Sequence, residues 1–140
     1  MKIRIGIAGY GNLGKGVECA VAMKNAYAPY SDFKVGAALL SENGKVYQGC
    51  NVENASFSLT NCAERTALFS GVCDGERKFT AIAIVGGKGG KIEDFCPPCG
   101  ACRGALSEFC TDNFKIYLYN GKEIKEYSFS DIFPLKFELR

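Results

Sequence analysis

Two short stretches hold residues whose types and spacing could do chemistry: Cys62-Ala63-Glu64-Arg65 and Pro98-Cys99-Gly100-Ala101-Cys102. Cys62, Cys99 and Cys102 are soft metal ligands, and Glu64 is the only carboxylate in either stretch. The 140-residue chain contains no histidine. A zinc site must therefore use thiolates or carboxylates, and no imidazole is present to act as a base. Three protein ligands leave the fourth position of a tetrahedral zinc open to water, which marks a catalytic rather than a structural site. Such a zinc lowers the pKa of its water toward neutrality, and Glu64 is placed to take and return the protons. Three thiolates and Zn²⁺ sum to one negative charge, and Arg65 is placed to offset it.

Those groups must be brought together by helix starts. Pro98 suits the first turn of a helix, where its missing N–H costs nothing. Cys99 and Cys102, three apart, then fall on one face. Asn61 is a good cap residue ahead of Cys62. The positive end of a helix favours thiolate over thiol. The spacing predicts helices over 13–26, 61–73 and 99–111. Strands are predicted at 3–8, 33–40, 45–50, 79–85, 114–119 and 122–129, with Asn43-Gly44 and Asn120-Gly121 as turn signals. Residues 86–90 read as a loop, and Asp131 to Phe133 as one helical turn before Pro134. The order hairpin, helix, strand, helix, strand, strand implies a mixed sheet with helices on its faces.

Composition narrows the function classes. A hydrophobic fraction of 47% fits one globular domain with a normal core. A net charge of +2, with scattered Lys and Arg, offers no basic stripe for nucleic acid. No apolar run approaches the ~20 residues of a membrane span. The N-terminus shows no secretory signal, so a cytoplasmic setting is expected. Eight cysteines without such a signal read as metal or redox chemistry rather than a disulfide scaffold. Cys19, Cys50, Cys73 and Cys110 read as ordinary apolar packing residues. Cys96 in Cys96-Pro97-Pro98-Cys99 could form a redox pair. The two prolines place it ahead of the helix, and a bystander role is expected.

A Cys-x-Glu pair followed by Pro-Cys-x-x-Cys is close to the zinc-deaminase signature, with Cys62 where that signature carries histidine. From about Met23 to Phe137 the chain resembles the small homotetrameric cytidine deaminases. The resemblance rests on Ala28-Pro29-Tyr30-Ser31-x-Phe33-x-Val35-Gly36-Ala37-Ala38, Gly49-Cys50-Asn51-Val52-Glu53-Asn54-Ala55, Cys62-Ala63-Glu64-Arg65-Thr66-Ala67, Pro98-Cys99-Gly100-Ala101-Cys102-Arg103 and Pro134-x-x-Phe137. It implies an α/β fold, a three-layer α/β/α sandwich around a mixed five-stranded sheet. It implies one zinc per chain on Cys62, Cys99 and Cys102, with Glu64 shuttling protons and Arg65 donating to the ligand sulfurs. Phe33 would pack on the pyrimidine, Asn51 and Glu53 would bind the ribose hydroxyls, and Ala63 would line the substrate site. Ala55, Phe57 and Phe137 would reach the site of a neighbouring subunit. Phe57 stands where the family usually has tyrosine. The implied reaction is hydrolysis of cytidine and deoxycytidine in pyrimidine salvage, with no nucleic-acid or membrane partner.

The first residues depart from that family. Lys2 to Gly14 contains a G-x-G-x-x-G (Gly9, Gly11, Gly14) and resembles the opening of a diaminopimelate dehydrogenase. The acidic residue expected ~20 positions further, at the end of a second strand, is missing. No dinucleotide cofactor is therefore expected. Residues 1–12 read as an atypical extension, and 13–140 as the deaminase-like domain. Three other readings stay open: a deaminase for another aminopyrimidine nucleoside such as blasticidin S, a redox or structural-zinc protein using Cys96, Cys99 and Cys102, and a nucleotide-binding fragment.

Overall fold

A computed structural model describes residues 18–139. In chain order the elements are α1 (Glu18–Met23), β1 (Phe33–Ser41), β2 (Val46–Cys50), α2 (Ala63–Cys73), β3 (Phe79–Lys88), α3 (Gly100–Ser107), β4 (Lys115–Tyr119), β5 (Ile124–Ser128) and α4 (Phe129–Ile132). A short 3-10 turn lies at Phe57–Leu59.

The strands form one five-stranded sheet in the order β2-β1-β3-β4-β5. Strand β1 is antiparallel to both neighbours, β3 and β4 are parallel, and β5 returns antiparallel along β4. A parallel pair needs a crossover, and α3 supplies it between β3 and β4. Strands β2 and β3 both oppose β1, so they point the same way, and α2 links them. Both helices thus begin beyond the carboxyl ends of co-directional strands, at one end of the sheet. That end is where open α/β sheets hold ligands.

Period-two alternation sorts the side chains into layers. Ile82 and Ile84 of β3 join Leu39, Ile116, Leu118, Leu68 of α2 and Leu106 of α3 in one core. Ala81, Ala83 and Val85 face the other way, against Ala38, Leu40 and the α1 residues Cys19 and Met23. The result is the expected α/β/α sandwich. Two glycines set how closely helices approach. A Cβ on Gly36 would strike the Cys19 carbonyl and the Met23 backbone nitrogen of α1. A Cβ on Gly49 would strike the Ala63 carbonyl and the Ala67 nitrogen, so Gly49 lets the first turn of α2 rest on β2.

Element limits differ from the sequence reading in instructive ways. The predicted strand at 3–8, the glycine fingerprint and residues 13–17 of the first helix lie outside the described residues. Helix α1 stops at Met23, well before Pro29. Asn61 is not the cap of α2; Cys62 is, while Asn61 donates from Nδ2 to Thr66 Oγ1 at 3.0 Å. Pro98 is not in the first turn of α3 either, because Cys99 is that helix's N-cap. Helix α3 ends at Ser107 rather than at 111, and Gly86 and Gly87 belong to β3 rather than to a loop.

Candidate active site

Cys62 and Cys99 occupy equivalent places on two helices. Each caps its helix with extended backbone, at φ −74°, ψ 157° and φ −68°, ψ 167° respectively. Their carbonyls accept the first helical bonds, from Thr66 N and Arg103 N, both at 3.0 Å. Cys102, fully buried, follows in the first turn of α3. The three sulfurs lie within 4.8 Å of one another, and Cys62 Sγ is 3.7 Å from Cys99 Sγ. Tetrahedral zinc with Zn–S bonds of about 2.3 Å sets its sulfurs about 3.8 Å apart. The donor set and its spacing therefore fit zinc. Among the described residues no other set of three or more Cys, Asp or Glu side chains converges in this way.

The electrostatics favour thiolate at this point. Cys62 is brought down to about 5 by a hydrogen bond from Cys102, then by Arg65 and Cys99. Cys102 is pushed the opposite way, because it keeps the proton that Cys62 gives up. Arg65 Nη2 reaches Cys62 Sγ at 3.5 Å and the Thr60 carbonyl at 3.4 Å, so its charge sits against the sulfur cluster. Glu64 is 4% exposed, and burial pushes its carboxyl up to about 7. Its Oε2 lies 3.7 Å from Cys102 Sγ. A carboxyl poised near neutrality suits both acceptance and donation of a proton.

A cavity of about 240 Å³ opens beside this cluster. Phe33, Val35, Phe57, Cys96 and Pro97 give it apolar walls, and Cys62, Ala63, Glu64 and Cys99 close one end. Ser31, Asn51 and Glu53 supply further polar lining. Glu53 Oε1 accepts from Tyr30 N at 3.0 Å and Ser31 N at 3.1 Å, and Oε2 accepts from the Ser31 hydroxyl. That hydroxyl, with the two backbone donors, holds the Glu53 carboxyl below the usual carboxylate range. Asn51 bridges to β1: Nδ2 donates to the Phe33 carbonyl, and Oδ1 accepts from Val35 N, each at 2.8 Å. One amide hydrogen of Asn51 stays available to a ligand. A larger cavity of about 500 Å³ lies at the opposite end of the sheet, beside Phe79, Phe109 and Phe114, away from the Cys62, Cys99 and Cys102 cluster.

Other residues singled out from sequence fall in different places. Ala55 is exposed and does not line this cavity. Phe137 is 84% exposed and also lies outside it. Cys96 lines the cavity but stands apart from the three-sulfur cluster, its sulfur packed against Gly86. Burial pushes its thiol up to about 12. Sequence reasoning gave no role to Ser31, Val35, Thr60 or Pro97, all of which line the cavity. Ser31 had a signal, since it stands in the Tyr30-Ser31-x-Phe33 stretch.

Residues 15–118 match the family profile described as the cytidine and deoxycytidylate deaminase zinc-binding region. The chain belongs to the cytidine deaminase family. A cytidine deaminase from Sporosarcina psychrophila is 48% identical over 118 residues, covering 84% of each chain. One from Halalkalibacterium halodurans is also 48% identical over 118 residues, covering 84% of this chain and 86% of its own. The crystal structure of a cytidine deaminase from Burkholderia pseudomallei superposes with a TM-score of 0.78 at 46% identity, covering 86% of this chain and 94% of that one. Zinc is the cofactor of this family, and the Cys62, Cys99 and Cys102 cluster is a set of thiols that could hold it.

The cytidine deaminase site also makes Arg65 testable. Arg65→Gln removes the cation beside Cys62 without removing a ligand. Activity should fall about 10–100-fold, as is usual when a group bonded to a metal ligand is lost. Metal analysis should still find zinc. Full activity in this variant would reduce Arg65 to a helix residue.

Proposed function

We propose that this chain hydrolyses cytidine and deoxycytidine to uridine and deoxyuridine, releasing ammonia. One observation carries the reading: the buried Glu64 carboxyl meets a three-thiol cluster at the closed end of a cavity that also holds Asn51 and Glu53. Bound zinc supplies an acidified water at that end. Glu64 does the proton work. It accepts a proton from the water as oxygen adds to C4 of the ring and passes it to N3; it then takes the second proton, from the new C4 hydroxyl, and gives it to the exocyclic nitrogen. Ammonia leaves, and the oxygen of the water remains as the C4 carbonyl. Burial of Glu64 keeps bulk water from competing for these protons.

The ribose end follows from charge. Glu53, held ionised by Ser31, accepts hydrogen bonds from sugar hydroxyls, and the free amide hydrogen of Asn51 donates to one. Phe33, 41% exposed at the cavity wall, packs on the pyrimidine face. A carboxylate at the sugar disfavours a phosphate there, so free nucleosides are the substrates. The sugar contacts of Asn51 and Glu53 favour cytidine and deoxycytidine over blasticidin S. Ala55 and Phe137, which lie outside this chain's own cavity, complete the site of a neighbouring subunit in a homotetramer, whereas Phe57, expected at the neighbour's site, lines the cavity of its own chain. Pyrimidine salvage in the cytoplasm is the setting; no helix among the described residues is long and apolar enough to cross a membrane.

Ammonia release from cytidine, with and without a zinc chelator and beside blasticidin S, tests the reading. Turnover of cytidine that a chelator stops is expected, with far slower blasticidin S. Faster turnover of blasticidin S would overturn the substrate assignment. Residues 1–12 are proposed as an extension outside the deaminase domain. Deleting residues 1–10 should leave a tetramer with near-normal activity by size-exclusion chromatography and the same assay. Collapse of the assembly would place those residues within the domain.

A further inference from the structure

One polar contact beside the metal centre belongs to neither the ligand set nor the substrate cavity. Arg103, half-buried in α3, folds its side chain back across the start of its own helix. Its Nε donates to the Pro98 carbonyl at 2.9 Å, and its Nη1 donates to the Ile132 carbonyl at 2.6 Å. Pro98 is fully buried and immediately precedes the ligand Cys99. The Pro98 carbonyl lies ahead of the helix, where no intrahelical donor reaches it, because the ladder begins with Arg103 N on the Cys99 carbonyl. Ile132 is the last residue of α4, a separate element packed by Phe129 into the core. One guanidinium therefore ties the backbone just before a metal ligand to a distant, core-anchored carbonyl.

We propose that Arg103 is a positioning residue for Cys99, holding the Pro98–Cys99 peptide so that the Cys99 sulfur meets those of Cys62 and Cys102. The need is local. Cys102 is fully buried within α3, but Cys99 is exposed and sits at a cap position with extended backbone. Its side chain makes no capping bond. Its sulfur position thus depends on the preceding peptide, whose carbonyl accepts the Arg103 side-chain hydrogen bond. The planar fork of arginine can donate in two directions at once, whereas lysine offers a point charge that cannot span both carbonyls in the same geometry. The inference rests on the metal reading above. Its test uses no nucleoside, so its failure would leave the substrate assignment untouched.

The experiment is zinc transfer from the intact protein to a chromogenic chelator in excess, for the parent, Arg103→Lys, Arg103→Gln and a control, Arg77→Lys. Arg77 makes a similar backbone clamp, to the Val72 carbonyl at 2.9 Å and the Glu76 carbonyl at 2.8 Å, on the loop after α2. Both Arg103 variants should release zinc about 10–100-fold faster, the range expected when a partner that orients a metal ligand is removed. Arg77→Lys should release it at the parent's rate. The cobalt-substituted Arg103 variants should also show altered thiolate-to-metal absorption, a signature that a change in stability alone does not produce. Parental release rates in both Arg103 variants would overturn the proposal. So would equal acceleration in Arg77→Lys, or failure of both Arg103 variants to fold, since Arg103 would then be a general structural residue.

Discussion

Glu64→Gln should abolish deamination while leaving the fold and the zinc in place. The substitution keeps the shape of a side chain that is 4% exposed, and removes only its capacity to carry a proton. A single acid–base group contributes about 10²–10⁴-fold. Glu64 serves successive transfers, from water, to N3 and to the leaving nitrogen, so the loss should reach the upper end of that range or exceed it. Steady-state ammonia release beside metal analysis separates chemistry from assembly. A variant within about tenfold of the parent rate would remove Glu64 from the mechanism.

Cys99→Ala should lose the metal, and with it all activity and much of the order near the start of α3. Two sulfurs, from Cys62 and Cys102, cannot replace three, and metal binding energy is coupled to local folding. Cys96→Ala should retain zinc, because Cys96 stands apart from the cluster. Metal stoichiometry after dialysis, with thermal unfolding of the same samples, distinguishes the two variants. Zinc lost from Cys96→Ala but kept in Cys102→Ala would reassign the ligands.

The two motifs whose thiols converge were legible in the sequence because the spacing within each is local. Cys99 and Cys102 are three residues apart, and Cys62 stands two residues before Glu64. The sheet was legible for a similar reason, since the apolar run at 79–85 and the two Asn-Gly turns mark strands and their reversals. What escaped depends on contacts between distant parts of the chain. Ser31 fixes Glu53 across 22 positions, and Arg103 reaches Ile132 across 29. Neither distance leaves a periodic trace. The helix starts were misplaced by one or two residues. Cys62 and Cys99 are themselves the extended cap residues, so α2 and α3 start later than the capping propensity of Asn61 and the first-turn preference of Pro98 had placed them.

Cys62 and Cys99 begin two different crossovers, 37 positions apart in the chain. A metal joining them closes that loop as a covalent bridge would. In the chain-entropy account of cross-links, a loop of this size restricts the unfolded ensemble by about 4 kcal/mol. The cap positions that aim the sulfurs at one point therefore also make zinc a removable staple between α2 and α3. In a cell, the lifetime of this protein would then follow the supply of zinc as well as its own sequence.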